Sequence, residues 1–133
     1  NVLRGMVRQL HAKAALTKRI YRLNFDLEGQ RITACYLQSL SPDESGEVAC
    51  VVESSREMRG FDLPGAVRLL DVVSASGEKI SEGTAMTHFH PTGLAEPSVV
   101  HLQTPGEEHV TLFIEPLAGR VKVVPGYAER EKG

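Results

Sequence analysis

Leu3, Met6, Val7, Leu10 and Ala14 recur at steps of three and four residues over 2–18, the spacing that lines one face of an α-helix. No start signal precedes them. Asn1 is an acceptable N-cap, but the first turn carries Arg4 and has no Glu or Gln three residues on. The helix is therefore expected to continue upstream in a longer natural chain, as the end of an apolar stem under a water-soluble head. After it the period changes to two. Tyr21, Leu23, Phe25 and Leu27 alternate with Arg22, Asn24 and Asp26, the pattern of a half-buried strand. Glu28-Gly29-Gln30 turns the chain into a second strand over 32–37, and the turn-forming run 41–46 leads to a third over 47–52. Residues 53–66, with Gly60, Pro64 and Gly65, read as an irregular connection to a fourth strand over 67–73.

Further on, Ser76-Gly77-Glu78 marks a hairpin turn, and a short strand over 85–89 is stopped by Pro91. Strands over 99–103 and 110–114 flank a turn at 104–108, and Pro116-Leu117-Ala118-Gly119 leads to a last strand over 121–124. On that strand Val121 and Val123 are expected to face the core, with Arg120 and Lys122 projecting away. The order predicts an α+β unit, one N-terminal helix packed against two antiparallel β-sheets. Its parts are a helical stem at 1–19, a β-rich head at 20–124 and a frayed polar tail at 125–133.

Composition supports one soluble domain: 133 residues, 41% hydrophobic and 24% charged. With no Trp, three Tyr and four Phe, the core must be mainly aliphatic, which suits strands packed face to face. No run approaches the roughly 18 apolar residues of a membrane helix. The charge is uneven. Arg4, Arg8, Lys13, Lys18, Arg19 and Arg22 precede the first acidic residue, Asp26, so nine bases against seventeen acids leave the remainder at −8. A basic rod under an acidic head suits anionic lipid, nucleic acid or the acidic flanks of neighbouring subunits, and equally an ordinary solvated helix face.

Cys35 and Cys50 flank the 41–46 turn almost symmetrically. A cross-strand disulfide fits an oxidising compartment, while the high burial of free Cys in proteins favours two separate small hydrophobes. Their spacing does not suit zinc. His88 and His90 share a strand face around Phe89, and His101 falls on a candidate neighbouring strand. Pro91 and the lack of a carboxylate within the cluster weigh against a metal site. There is no G-x-S-x-G elbow and no phosphate loop, and Asp43, Glu44, Glu107 and Glu108 fall in turns, so neither an enzyme nor a cofactor is expected.

Three segments together carry a resemblance: the basic helix running into Arg19-Ile20-Tyr21-Arg22-Leu23-Asn24-Phe25-Asp26, then His88-Phe89-His90-Pro91-Thr92-Gly93, then 110–123. The chain resembles the H-type minor pseudopilins of type II secretion over about residues 2–124. That family typically carries Phe-x-Pro-x-Gly on a late strand and Pro-Leu-Thr-Gly-Arg in the last hairpin. Phe89, Pro91 and Gly93, then Pro116, Leu117, Gly119 and Arg120, match, and Ala118 departs from the usual Thr. These motifs suit turn geometry before they suit recognition.

The resemblance implies a pilin-like structural subunit. Its stem would be anchored in the inner membrane through a processed, methylated apolar segment, with the head in the periplasm. Its partners would be the other minor and major pseudopilins at a filament tip, with secreted cargo and the outer-membrane channel beyond. The N-terminal members of the helix stripe would then contact neighbouring stems and the C-terminal ones the head, and loops at 40–46 and 53–66 would supply lateral contacts. Two other classes remain. A DNA-binding minor pilin of a type IV pilus would use Arg4, Arg8, Lys13, Arg120 and Lys122 on phosphates, against the overall charge of −2 and the few aromatics. A plain recognition module would pair partners along an edge strand.

Overall fold

The computed structural model describes residues 2–40, 46–117 and 119–130. Asn1, the turn at 41–45 with Asp43 and Glu44, Ala118, and the last three residues lie outside these. The helix α1 spans Val2–Thr17 and buries Leu3, Met6, Val7, Leu10 and Ala14. It stops where Lys18 takes a φ of +58°, the left-handed conformation that commonly closes helices. Thr17 Oγ1 donates to the Lys13 carbonyl at 2.7 Å in that last turn.

Among the described residues the expected strands follow in order, with the two-residue β4 and β6 added between them: β1 (Tyr21–Asp26), β2 (Arg31–Ser39), β3 (Val48–Val51), β4 (Phe61–Asp62), β5 (Arg68–Val73), β6 (Lys79–Ile80), β7 (Thr84–Phe89), β8 (Ser98–Gln103), β9 (His109–Ile114) and β10 (Val121–Pro125). Among the described residues they form two five-stranded sheets. One runs β3-β2-β1-β7, with β4 also pairing β2, and the other runs β10-β9-β8-β5-β6. Every pairing is antiparallel. Tyr21, Leu23 and Phe25 of β1 point inward with Ile32 and Ala34 of β2, and they share one core with Leu69, Val72, Val100, Leu112 and Ile114 of the second sheet and the stripe of α1.

Gln30 joins the sheets. From the β1–β2 turn its Nε2 donates to the carbonyls of Leu27 (2.7 Å) and Leu69 (3.0 Å), and its Oε1 accepts from the Leu69 amide (2.7 Å). It serves Leu69 next to the point where the β5–β8 register shifts, between Leu69 and Asp71. The irregular 53–66 stretch holds a single 3-10 turn, Arg56–Met58, whose Met58 is buried in the core, and the two-residue strand β4.

Four expectations change. The N-terminal stripe residues Leu3 and Met6 face this chain's own head, because the start of β10 lies beside the first turns of α1: Arg4 Nη2 donates to the Val121 carbonyl at 3.2 Å, and Leu3 and Val121 share the core. Val123 is 42% exposed, since β10 is an edge strand that leaves the core after Val121. Cys35 and Cys50 are joined by a disulfide, with Cα atoms 5.4 Å apart. Cys50 pairs in register with Leu37, one diagonal step from Cys35, and it is exposed on the outer side of its sheet, so the buried-thiol reading fails there. Finally, residues 126–130 are fastened to the second sheet by several hydrogen bonds instead of fraying.

Leu10 is wholly buried and Leu16 is 81% exposed on the same helix. Leu10→Ala should therefore cost about 2–5 kcal/mol in urea unfolding, and Leu16→Ala within about 0.5 kcal/mol. Similar losses at both positions would contradict this orientation of α1.

Candidate assembly surface where two turns close on the helix

The two motif segments lie far apart in sequence and meet in space. After Phe89 ends β7 inside the core, the His90 amide donates to the Leu94 carbonyl (2.8 Å) and the Gly93 amide to the His90 carbonyl (3.0 Å), which makes a tight turn. Gly93 has a φ of +92°. The chain then doubles back, with Phe89 bridging Ala95 and the Glu96 amide donating to the His88 carbonyl (3.0 Å). The second turn joins β9 to β10 and is closed by the Glu115 amide on the Arg120 carbonyl at 2.9 Å. The Ala95 amide donates to the Pro116 carbonyl (2.9 Å), and Leu94 bridges Leu117, so the turns are hydrogen-bonded to each other.

Both turns rest on His11 of α1. A Cβ added to Gly119, whose φ is +58°, would lie 2.8 Å from His11 Cβ, closer than real Cβ contacts come. One added to Gly93 would lie 3.9 Å from His11 Nε2, an ordinary contact. Gly119 is thus required twice, by conformation and by the nearness of the helix. On the outer side Leu94 and Leu117 are exposed, and Pro116, Leu117, Arg120 and Lys122 line a shallow groove. His11 was not singled out from the sequence. It stands four residues after Val7 and three before Ala14, on the flank of the stripe, and that spacing was its signal.

A polar cluster fixes the other end of α1. Lys13 Nζ lies 2.7 Å from Glu53 Oε2, and the Tyr21 hydroxyl donates to Glu53 Oε1. Burial alone would raise the Glu53 carboxyl, but the hydrogen bonds from Lys13 and Tyr21 outweigh it, and the net displacement is downward. Burial and the same Glu53 push the Tyr21 hydroxyl up, so it stays a donor.

The histidines do not gather. His88 Nδ1 is 2.7 Å from Glu96 Oε1, and Arg22 Nε donates to its other nitrogen at 3.2 Å, while His101 lies on the other sheet, 2.6 Å from Asp71. Among the described residues no group of three His, Cys, Asp or Glu is placed to hold a metal ion. The basic residues of the nucleic-acid reading divide as well. Lys13 is paired and Arg4 is on a carbonyl, while Arg8, Arg120 and Lys122 are exposed. Among the described residues no helix is long and apolar enough to cross a membrane.

One helix laid on two antiparallel sheets, with both late turns seated against it, defines a pilin-like head. Its fold is similar to that of a minor pseudopilin head. The minor pseudopilin EpsH of the Vibrio cholerae type II secretion system is similar in two solved structures. One has a TM-score of 0.68 at 14% identity, over 96% of this chain and 92% of that one. The other has a TM-score of 0.61 at 15% identity, over 92% and 90%. No family model and no curated protein matches the chain.

Gly119→Ala should lose about 2–4 kcal/mol, strain plus displacement of α1, and Gly93→Ala about 1 kcal/mol from backbone strain alone. Equal losses in urea unfolding would remove His11 from the account. Because the Glu53 carboxyl is depressed in the folded state, the stability it adds is present above the unfolded carboxylate value and lost as pH falls through the folded one. Glu53→Gln should therefore flatten the acid limb of a stability–pH curve, and an unchanged limb would contradict the pairing.

Proposed function

We propose that this chain is the head of a minor pseudopilin, a structural subunit that helps a type II secretion filament export folded proteins. The observation that carries this is the similarity to EpsH along at least nine-tenths of both chains. The stem end at 1–19 would continue into an inner-membrane anchor, with the head in the periplasm, where the Cys35–Cys50 disulfide is chemically at home. The role needs no reaction: the chain assembles, and it is not an enzyme. Contacts with the other minor and major pseudopilins would use what the head leaves exposed, Val2 and Leu16 along α1 and the Leu94–Leu117 pair with Arg120 beside it. A place at the filament tip and contact with cargo or channel belong to the same reading.

Deleting the gene in its host should trap a type II substrate in the periplasm, and restoring the wild-type gene should release it to the medium. Leu117→Asp, at a position 62% exposed, should fold normally yet restore secretion poorly. A deletion strain with unchanged secretion would end this reading, and full rescue by Leu117→Asp would move the contact elsewhere on the head.

A further inference from the structure

The outer face of the second sheet carries a buried ion-pairing group that no assembly contact explains. His101 of β8 and Asp71 of β5 are partners in the ladder, and their rings and carboxylate are almost wholly enclosed, at 1% and 6% exposure. His101 Nδ1 lies 2.6 Å from Asp71 Oδ1, and Nε2 lies 2.7 Å from the Ala128 carbonyl. The Tyr127 hydroxyl donates to Asp71 Oδ2 at 2.7 Å, and its ring stacks on the imidazole with centroids 3.6 Å apart and planes 11° apart.

A proton inventory follows from these contacts. A carbonyl only accepts, so Nε2 must carry a hydrogen. A second proton must lie between Nδ1 and Asp71, on whichever of the two atoms holds it, or lone pairs would face each other at 2.6 Å. The pair therefore needs two protons to hold the tail. With one, Nδ1 keeps its hydrogen for the carboxylate, and Nε2 turns a lone pair toward the Ala128 oxygen.

Among the described residues, the other groups around the pair do not supply an alternative donor to the Ala128 carbonyl. Lys79 of β6 lies over the Tyr127 ring at 5.2 Å, and His109 of β9 meets the edge of that ring at 6.0 Å. Thr111, opposite His101 on β9, is occupied by the strap itself: its hydroxyl donates to the Gly126 carbonyl (2.7 Å) and accepts from the Ala128 amide (2.8 Å). Arg130 donates to the Ile114 carbonyl (3.2 Å) and pairs with Glu115. Lys79, Glu129 and Arg130 rim a cavity of about 380 Å³ beside His101, floored by Val73, Pro97 and Val99. Burial pushes the Tyr127 hydroxyl up, with Lys79 opposing and Asp71 reinforcing, so it remains a donor.

We propose that residues 126–130 form a pH-gated strap, closed while the His101–Asp71 pair holds two protons and released when rising pH removes the one on Nε2. Release uncovers His101, Thr111 and the adjoining cavity on the outer face of the second sheet. This device is independent of the pseudopilin reading.

The test uses the full chain labelled with 15N. Imidazole spectra and hydrogen exchange at the Ala128 amide are followed between about pH 5 and pH 8, with exchange corrected for its intrinsic pH dependence. Protection at Ala128 should fall about tenfold in step with loss of the Nε2 proton, the value of one charge-assisted bond. In Asp71→Asn the amide can donate to Nδ1 and leave a neutral ring with hydrogen on Nε2, so the strap should stay closed and protection flat. His109→Gln should keep the step where it is. The proposal is overturned if the strap stays closed with Nε2 unprotonated, if Asp71→Asn retains the step, or if His109→Gln abolishes it.

Discussion

Leu10 and Ala14 have no exposed surface because the helix stripe packs into one core shared with both sheets, whose strands interleave along the chain. Burial of that aliphatic stripe is a non-directional force that holds the helix on a core shared with Tyr21, Phe25 and Phe89. It sets the distance from α1 to everything else. Once the helix is seated, the β9–β10 turn comes so near His11 that no side chain fits at Gly119, and the 90–94 turn is drawn against the same residue. The hydrogen bond from Ala95 to Pro116 then joins the turns, so a hydrophobic constraint in the first seventeen residues reaches the motifs near positions 90 and 118.

That dependence explains what could be read from the chain beforehand. The helix and the long hairpins were legible because their burial repeats with a fixed period, and Leu3 to Ala14 or Tyr21 to Leu27 repeat often enough to show it. Strands β4 and β6 have two residues each, too short for any period, and exist only because β2 and β5 offer a free edge. The Cys35–Cys50 link depended on register, since a diagonal step decides whether two sulfurs meet. His11 was a flank residue whose meaning came from partners about 80 and 108 positions away, which no local spacing encodes. The strap was misread for a related reason: Gly126 to Arg130 is polar in sequence, yet its anchors are His101, Asp71 and Thr111 on a sheet face.

The charge asymmetry takes a different meaning once positions are known. Six cations precede the first acid, which suggests a rod held out to an anionic partner. In the fold, Lys13 is neutralised by Glu53, Arg4 bonds the Val121 carbonyl, Arg22 bonds His88, and the Arg19 guanidinium lies 4.2 Å from the centre of the Tyr36 ring. Three of the six, Arg4, Lys13 and Arg19, thus fasten the stem region to its own head, and Arg22 ties two strands within that head.

One attraction between the basic stem and the acidic head, Lys13–Glu53, is thus satisfied within the molecule, and the Arg4 and Arg19 side chains are held by uncharged groups of the head. Partly buried pairs such as Lys13–Glu53 are screened less by salt than exposed ones, so this fastening persists where a surface phosphate contact would weaken. Partners of the head then meet a surface whose distinguishing features are aliphatic. Leu94 and Leu117 are paired across the joined turns, and Val2 and Leu16 lie on the outward side of α1. Apolar surface of this kind serves subunit packing, whereas a phosphate backbone asks for unpaired cations in a row. The internal use of charge and the outward use of aliphatic side chains favour the proposed packing of this head among other subunits over a phosphate-binding surface.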